Sequence, residues 1–156
     1  MTGGLKHAVF AAGCFWGVEH TVKKLPGVVD TEVGYTGGSL EHPTYEAVCR
    51  GDTGHVEAVR VAYDPTKTSY EALADAFFVL HDPTQQGGQG LDIGPQYASV
   101  LFFGDPNERE AALGARERAQ AAHPEATITT EVRPLGTFWR AEEYHQGYIE
   151  KQETVG

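Results

Sequence analysis

Hydrophobic positions along this chain follow two alternating rhythms. Residues 6–12 form a short apolar run, as in a buried central strand, and residues 28–35 (VVDTEVGY) and 97–103 (YASVLFF) have the β-branched and aromatic content of strands. Residues 128–135 read the same way. In the segment 55–64 (HVEAVRVAYD), strict alternation places His55, Glu57, Val59, Val61 and Tyr63 on one face. Val56, Ala58, Arg60 and Ala62 fall on the other. Glu57 therefore shares its face with the bulkier apolar residues, which predicts a carboxyl partly removed from water.

Between these strands the spacing lengthens to that of helices. Residues 15–24 predict a helix ending before Pro26-Gly27. His42-Pro43-Thr44 opens a short one carrying Tyr45 and Cys49. Thr68-Ser69-Tyr70-Glu71 has the form of a capping box, followed by Leu73, Phe77 and Leu80 at the spacing of a buried face and stopped by Pro83. Asp105-Pro106-Asn107-Glu108 caps a helix to about Ala122, and residues 141–151 predict a last helix bearing His145. The Gly- and Gln-rich stretch 84–96 is longer than most connections inside a compact domain, which marks it as a functional candidate. Strands and helices alternate with no repeat or linker, and some connections are tight turns. The expected fold class is α+β: a two-layer α/β sandwich, one mixed sheet with helices packed on it, in a single domain of residues 1–156.

Composition narrows the partners more than the fold. A formal net charge of -10 argues against nucleic acid or an anionic membrane surface as a partner. Two cysteines, Cys14 and Cys49, are too few for a disulfide framework and too far apart for a zinc pattern, so no metal is expected and a reducing compartment is the default. Ala11-Ala12-Gly13-Cys14 has the look of a lipoprotein cleavage box, but the apolar run before it is too short for a signal segment. A cytoplasmic monomer is expected.

The candidate chemistry centres on Gly13-Cys14-Phe15-Trp16-Gly17. This stretch places Cys14 where a strand gives way to a helix. Free amides and the helix dipole favour an anion there, so a reactive thiol with a lowered pKa is expected. Phe15 and Trp16 suggest an apolar pocket wall. A buried structural cysteine is the alternative for Cys14, and a surface ion pair the alternative for Glu57.

Taken together, GCFWG at Gly13, GYTGG at Gly34, PTYEAVC at Pro43 and GDTGHVEAVRVAYDP at Gly51 resemble peptide methionine sulfoxide reductases of the A type. So do HDPT at His81, QGLDIGPQY at Gln89 and AEEYHQGY at Ala141. The resemblance implies a ferredoxin-like α–β fold and thiol-dependent reduction of the S epimer of methionine sulfoxide, free or in oxidised proteins. It makes Cys14 the nucleophile, Phe15 and Trp16 the pocket for the substrate methyl, and Glu57 the proton donor to the sulfoxide oxygen. Tyr45 and Tyr97 would hydrogen-bond that oxygen, and Asp92 would help hold the substrate. Leu91, Pro95 and Ala98 depart from the Asn, Thr and Arg usual in the family, and Gly87-Gly88 from a bulkier pair, all in the loop that carries Asp92 and Tyr97.

Those roles also make chemical sense without the resemblance. Reducing a sulfoxide needs a soft nucleophile for its sulfur and an acid for its oxygen. Desolvation raises a glutamate into that role. His55 and His145 are candidates for supporting hydrogen bonds. The resulting sulfenic acid on Cys14 must be reset by a thiol. Many relatives carry resolving cysteines in a C-terminal tail; here the only other cysteine is Cys49. With no bound cofactor expected, an external thiol (thioredoxin, glutaredoxin or a small thiol) is the other candidate. Two competing readings are a cysteine hydrolase pairing Cys14 with His145, and a non-catalytic binder of methionine sulfoxide.

Overall fold

The computed structural model describes residues 4–155, so the ends of the expected domain, residues 1–3 and Gly156, lie outside the described residues. In order the elements are β1 (Lys6–Ala12), α1 (Phe15–Val22), β2 (Val28–Thr36), α2 (Tyr45–Cys49), β3 (Val56–Tyr63), α3 (Tyr70–Phe77), β4 (Gly88–Gln89) and β5 (Asp92–Ile93). A 3₁₀ turn at Pro95–Tyr97 leads into β6 (Ser99–Phe103), α4 (Pro106–Ala122), β7 (Glu131–Pro134) and β8 (Trp139–Arg140). A second 3₁₀ turn, Glu143–His145, precedes α5 (Tyr148–Val155). Six strands form one sheet in the order β7-β6-β1-β3-β2-β8, and β4 and β5 form a separate hairpin. Only the β6–β7 pair is parallel; the sheet is mixed, as its tight connections predict.

The central pair β1 and β3 carries both layers of the core. Ala8, Phe10 and Ala12 of β1 pack with Val59, Val61 and Tyr63 of β3 beneath the helices, with Phe15, Val18, Val22, Leu73, Phe77 and Ala115 above them. Val9, Ala11, Val56 and Ala58 face the other way with Val100 and Phe102. The alternation predicted for β3 therefore holds, and an irregularity in register falls on β2 between Val28 and Asp30. Caps lie where the sequence places them, with one shift. Thr44 and Asp105 accept from the Ala47 and Glu108 amides, while α3 is capped by Ser69, one residue later than the predicted box.

Four elements differ from the sequence expectation. The stretch 84–96 contains the β4–β5 hairpin, which pairs two residues from each strand. Tyr97 ends a 3₁₀ turn instead of starting a strand. The expected helix 141–151 is broken: Gln146 Nε2 donates to the Val33 carbonyl and its Oε1 accepts from the Val33 amide, both at 2.9 Å. One side-chain amide thus continues the sheet at the β2 edge, and Gly147 (φ 61°) turns the chain into α5. The edge strand β8 was not foreseen. It approaches so closely that a Cβ on Gly34 would lie 2.4 Å from the Trp139 carbonyl oxygen, so only glycine fits there.

Candidate active site

The site gathers where β1 hands over to α1. Gly13 has φ 94°, and a Cβ there would sit 2.7 Å from Gln89, so this glycine both makes the turn and lets the β4–β5 hairpin close on the next residue. That residue, Cys14, takes the position before the first turn of α1. The first amides of α1 are divided between two acidic groups. Phe15 N–H donates to Glu57 Oε1 at 3.1 Å, and the Trp16 and Gly17 amides donate toward the Cys14 sulfur.

Cys14 nonetheless does not have the lowered pKa that its helix position predicts; it is pushed up to about 11. Burial is the largest cause, and the nearby Glu57 and Asp92 carboxylates add to it, so together they outweigh the two amides. The resting thiol is neutral. Glu57 is raised as well, to about 7, first by burial and then by Asp92, with the Phe15 amide opposing. It is 1% exposed, and its Oε2 has no hydrogen-bond partner, an unusual state for a buried carboxyl oxygen.

Aromatic rings wall the site on one side. The Trp16 ring stacks on Tyr148 at 3.9 Å between centroids and at 6.3 Å on Tyr45, and Phe15 is fully buried against Tyr35. Trp16 is held by its own polar atom: its indole N–H donates to His145 Nδ1 at 2.9 Å. An indole can only donate, so His145 is neutral with its proton on Nε2, in line with the downward push that burial gives its pKa. His55 has another task. Its Nδ1 accepts from the Gly38 amide and its Nε2–H donates to the Leu40 carbonyl, which pins the 37–40 loop.

Tyr45 and Tyr97 both sense the Glu57 carboxylate, and burial is the main cause that pushes both phenols up, Tyr97 to about 12. Tyr97 also senses Cys14, Cys49 and Asp92. Asp92 lies in β5 and lines a cleft with Cys14. Cys49, at the end of α2, is exposed and hydrogen-bonds the Tyr45 hydroxyl. All the residues singled out by sequence except His55 thus fall around Cys14 and the Trp16 wall. Among the described residues no group of three or more His, Cys, Asp or Glu is arranged to hold a metal, and no helix is long and apolar enough to cross a membrane.

One residue that holds this arrangement was not singled out by sequence. Glu142 Oε1 accepts from the Tyr35 hydroxyl at 2.8 Å and Oε2 from the Tyr45 amide at 2.9 Å, while His145 Nε2 lies 3.8 Å away. A single carboxylate therefore braces the residues behind Phe15, Tyr45 and Trp16. Its signal was in AEEYHQGY, which also supplies Gln146 and Tyr148.

The family profile described as "Peptide methionine sulfoxide reductase" matches residues 6–156. The chain belongs to that family. It is 52% identical over 149 residues to "Peptide methionine sulfoxide reductase MsrA" of Methanoculleus marisnigri, covering 95% of this chain and 91% of that protein. Its structure matches reduced Mxr1 of Saccharomyces cerevisiae with a TM-score of 0.91 at 35% identity, over 98% of this chain and 88% of the other. Mxr1 in complex with Trx2 matches with a TM-score of 0.67 at 28% identity, over 95% of this chain and 87% of that one. A peptide methionine sulfoxide reductase acts on a sulfoxide with thiols as reductant, and the mixed sheet with its helices is the fold these solved structures share.

Proposed function

We propose that this reductase converts the S epimer of methionine sulfoxide, free and within oxidised proteins, to methionine, as one catalytic domain in protein repair. The A-type relatives support the choice of epimer, since separate enzymes serve the two. Cys14 Sγ attacks the sulfoxide sulfur while Glu57 gives its proton to the oxygen. The oxygen ends on Cys14 as a sulfenic acid, methionine leaves, and the proton of the Cys14 thiol replaces the one Glu57 gave. The methionine sulfur gains two electrons and the Cys14 sulfur loses two.

The observation that carries this reading is the bare, buried Oε2 of Glu57 beside Cys14. A carboxyl with pKa about 7 is near the optimum for a general acid at neutral pH. Protonating it removes one of the charges that, with burial and Asp92, hold the thiol neutral, and so lowers the cost of forming a thiolate at the Trp16 and Gly17 amides. The two groups therefore activate each other. Phe15 and Trp16 receive the methyl group, Tyr45 and Tyr97 hydrogen-bond the oxygen, and Asp92 holds the substrate. Regeneration falls to an external thiol of the thioredoxin type, a choice supported by the Mxr1–Trx2 complex.

The hydrolase reading asks His145 to act as a base on Cys14, but its Nδ1 lone pair already accepts the Trp16 indole proton. Single-turnover mixing with methionine sulfoxide tests the proposal. One methionine released and one thiol lost per chain is expected. Unchanged thiols would favour a binder. Loss of two thiols, reduced to one in Cys49→Ser, would make Cys49 the resolving residue in place of the external thiol.

A further inference from the structure

Cys14 also opens on a second space, away from the aromatic wall. A cleft of about 360 Å³ is lined by Cys14, Val18, Leu80, His81, Gly90 and Asp92, among others. Its volume lies in the range of small-ligand sites, more than one side chain requires. None of the groups assigned to the sulfoxide oxygen or methyl lines it.

The β4–β5 hairpin, whose Gln89, Gly90 and Asp92 line this cleft, carries two exposed apolar side chains beside it. Leu91, between Gly90 and Asp92, is 100% exposed, and Ile93 is 67% exposed. Side-chain amides tether the hairpin that presents them. Gln85 accepts from the Gly90 amide and donates to its carbonyl, and Gln89 does the same with Asp82. Among the lining residues Asp92 carries the only charge. His81 is neutral, pushed down to about 4 chiefly by burial, with Nδ1–H donating to the Phe77 carbonyl and Nε2 bonded to Ser99.

We infer that this cleft, with Leu91 at its rim, is a subsite for an apolar side chain next to the methionine sulfoxide in a polypeptide substrate. It rests on the reading of Cys14 as nucleophile: a substrate sulfur at Cys14 puts the neighbouring residue at the cleft that Val18 and Leu80 line, next to the hairpin that carries Leu91. Methionines are mostly core residues, so the segments that expose them after oxidation are apolar. An acidic neighbour would face Asp92 and be disfavoured.

Steady-state kinetics with dithiothreitol as reductant tests this without any protein reductant. The substrates are free methionine sulfoxide and short peptides with leucine or aspartate on either side of the sulfoxide residue. On one side, the leucine peptide is expected to exceed the aspartate peptide about tenfold in kcat/KM, about 1.4 kcal/mol. Leu91→Asn should lower the ratio severalfold by slowing the leucine peptide while leaving the aspartate peptide, which Asp92 still repels, nearly unchanged, and Leu91→Met should keep it. Equal kcat/KM for all peptides, or a ratio unaffected by Leu91→Asn, overturns the subsite. An effect of Leu91→Asn seen only with thioredoxin as reductant would overturn it also, assigning the rim to the reductant. Failure of the wild type on free methionine sulfoxide would instead break the underlying reading of Cys14.

Discussion

The two cysteines sit at opposite ends of two helices, and their surroundings differ in almost every respect. Cys14 precedes the first turn of α1, largely buried, with two amides directed at its sulfur and two carboxylates near it. Cys49 ends α2, exposed, hydrogen-bonded to a tyrosine. Both have pKa values pushed up, with burial as the first cause in each. A resting pKa therefore does not separate the proposed nucleophile from the other cysteine. What separates them is the company. Beside Cys14 stands a carboxyl that can give a proton to a bound substrate and take the one the thiol releases.

The largest effect should come from the sulfur itself. Cys14→Ser is expected to abolish methionine release in a single turnover, measured by chromatography of the quenched mixture. If Cys49→Ser did the same, the contrast between the two sites would be lost.

Next comes the partner that gives Cys14 its advantage. Glu57→Gln should slow methionine release by about a hundredfold or more near neutrality, the usual contribution of a general acid. In the wild type that step should decline as pH rises through about 7, where Glu57 loses its proton, and the decline should vanish in the variant. Stability should fall with rising pH as well. Because the folded pKa lies above the ordinary 4.5, the folded state holds the extra proton between pH 4.5 and about 7, and stability falls as pH rises through that window. Urea unfolding at pH 8 should therefore find Glu57→Gln more stable, by up to about 3 kcal/mol, and at pH 4 nearly unchanged.

Tyr45 links the two regions, since its hydroxyl bonds Cys49 and it senses Glu57. Tyr45→Phe should lower kcat about tenfold, the worth of one hydrogen bond to developing charge. Glu142→Gln keeps the shape of the brace but not its charge, and an effect of about threefold on kcat/KM is expected. Smallest should be Cys49→Ser in turnover supported by an external thiol, within about twofold of wild type, because the serine hydroxyl can still bond Tyr45.

How much of this was legible in the residues differs from element to element. The burial of Glu57 could be read from a period of two in β3, because side-chain direction in a strand is fixed locally. The position of Cys14 ahead of a helix was legible for the same reason. The direction of its pKa was not: the expectation counted the helix amides and missed burial and the carboxylates that β3 and β5 bring close. The last helix failed similarly. Residues 141–151 have a helical pattern, but Gln146 pairs with the backbone of Val33, over a hundred residues earlier in the chain, and that contact outweighs local propensity.

The sequence by itself determined five of the sheet's six described strands, the caps at Thr44 and Asp105, the glycine turn before Cys14 and the motifs that mark the family. Those depend on neighbours within a few positions. Only the tertiary structure decided that Glu57 keeps one oxygen unpaired, that His145 serves Trp16 in place of Cys14, and that Glu142 braces three walls at once. Each of these is set by groups far apart in the chain, meeting where water has been excluded and a single charge or hydrogen bond carries more energy than it would at the surface.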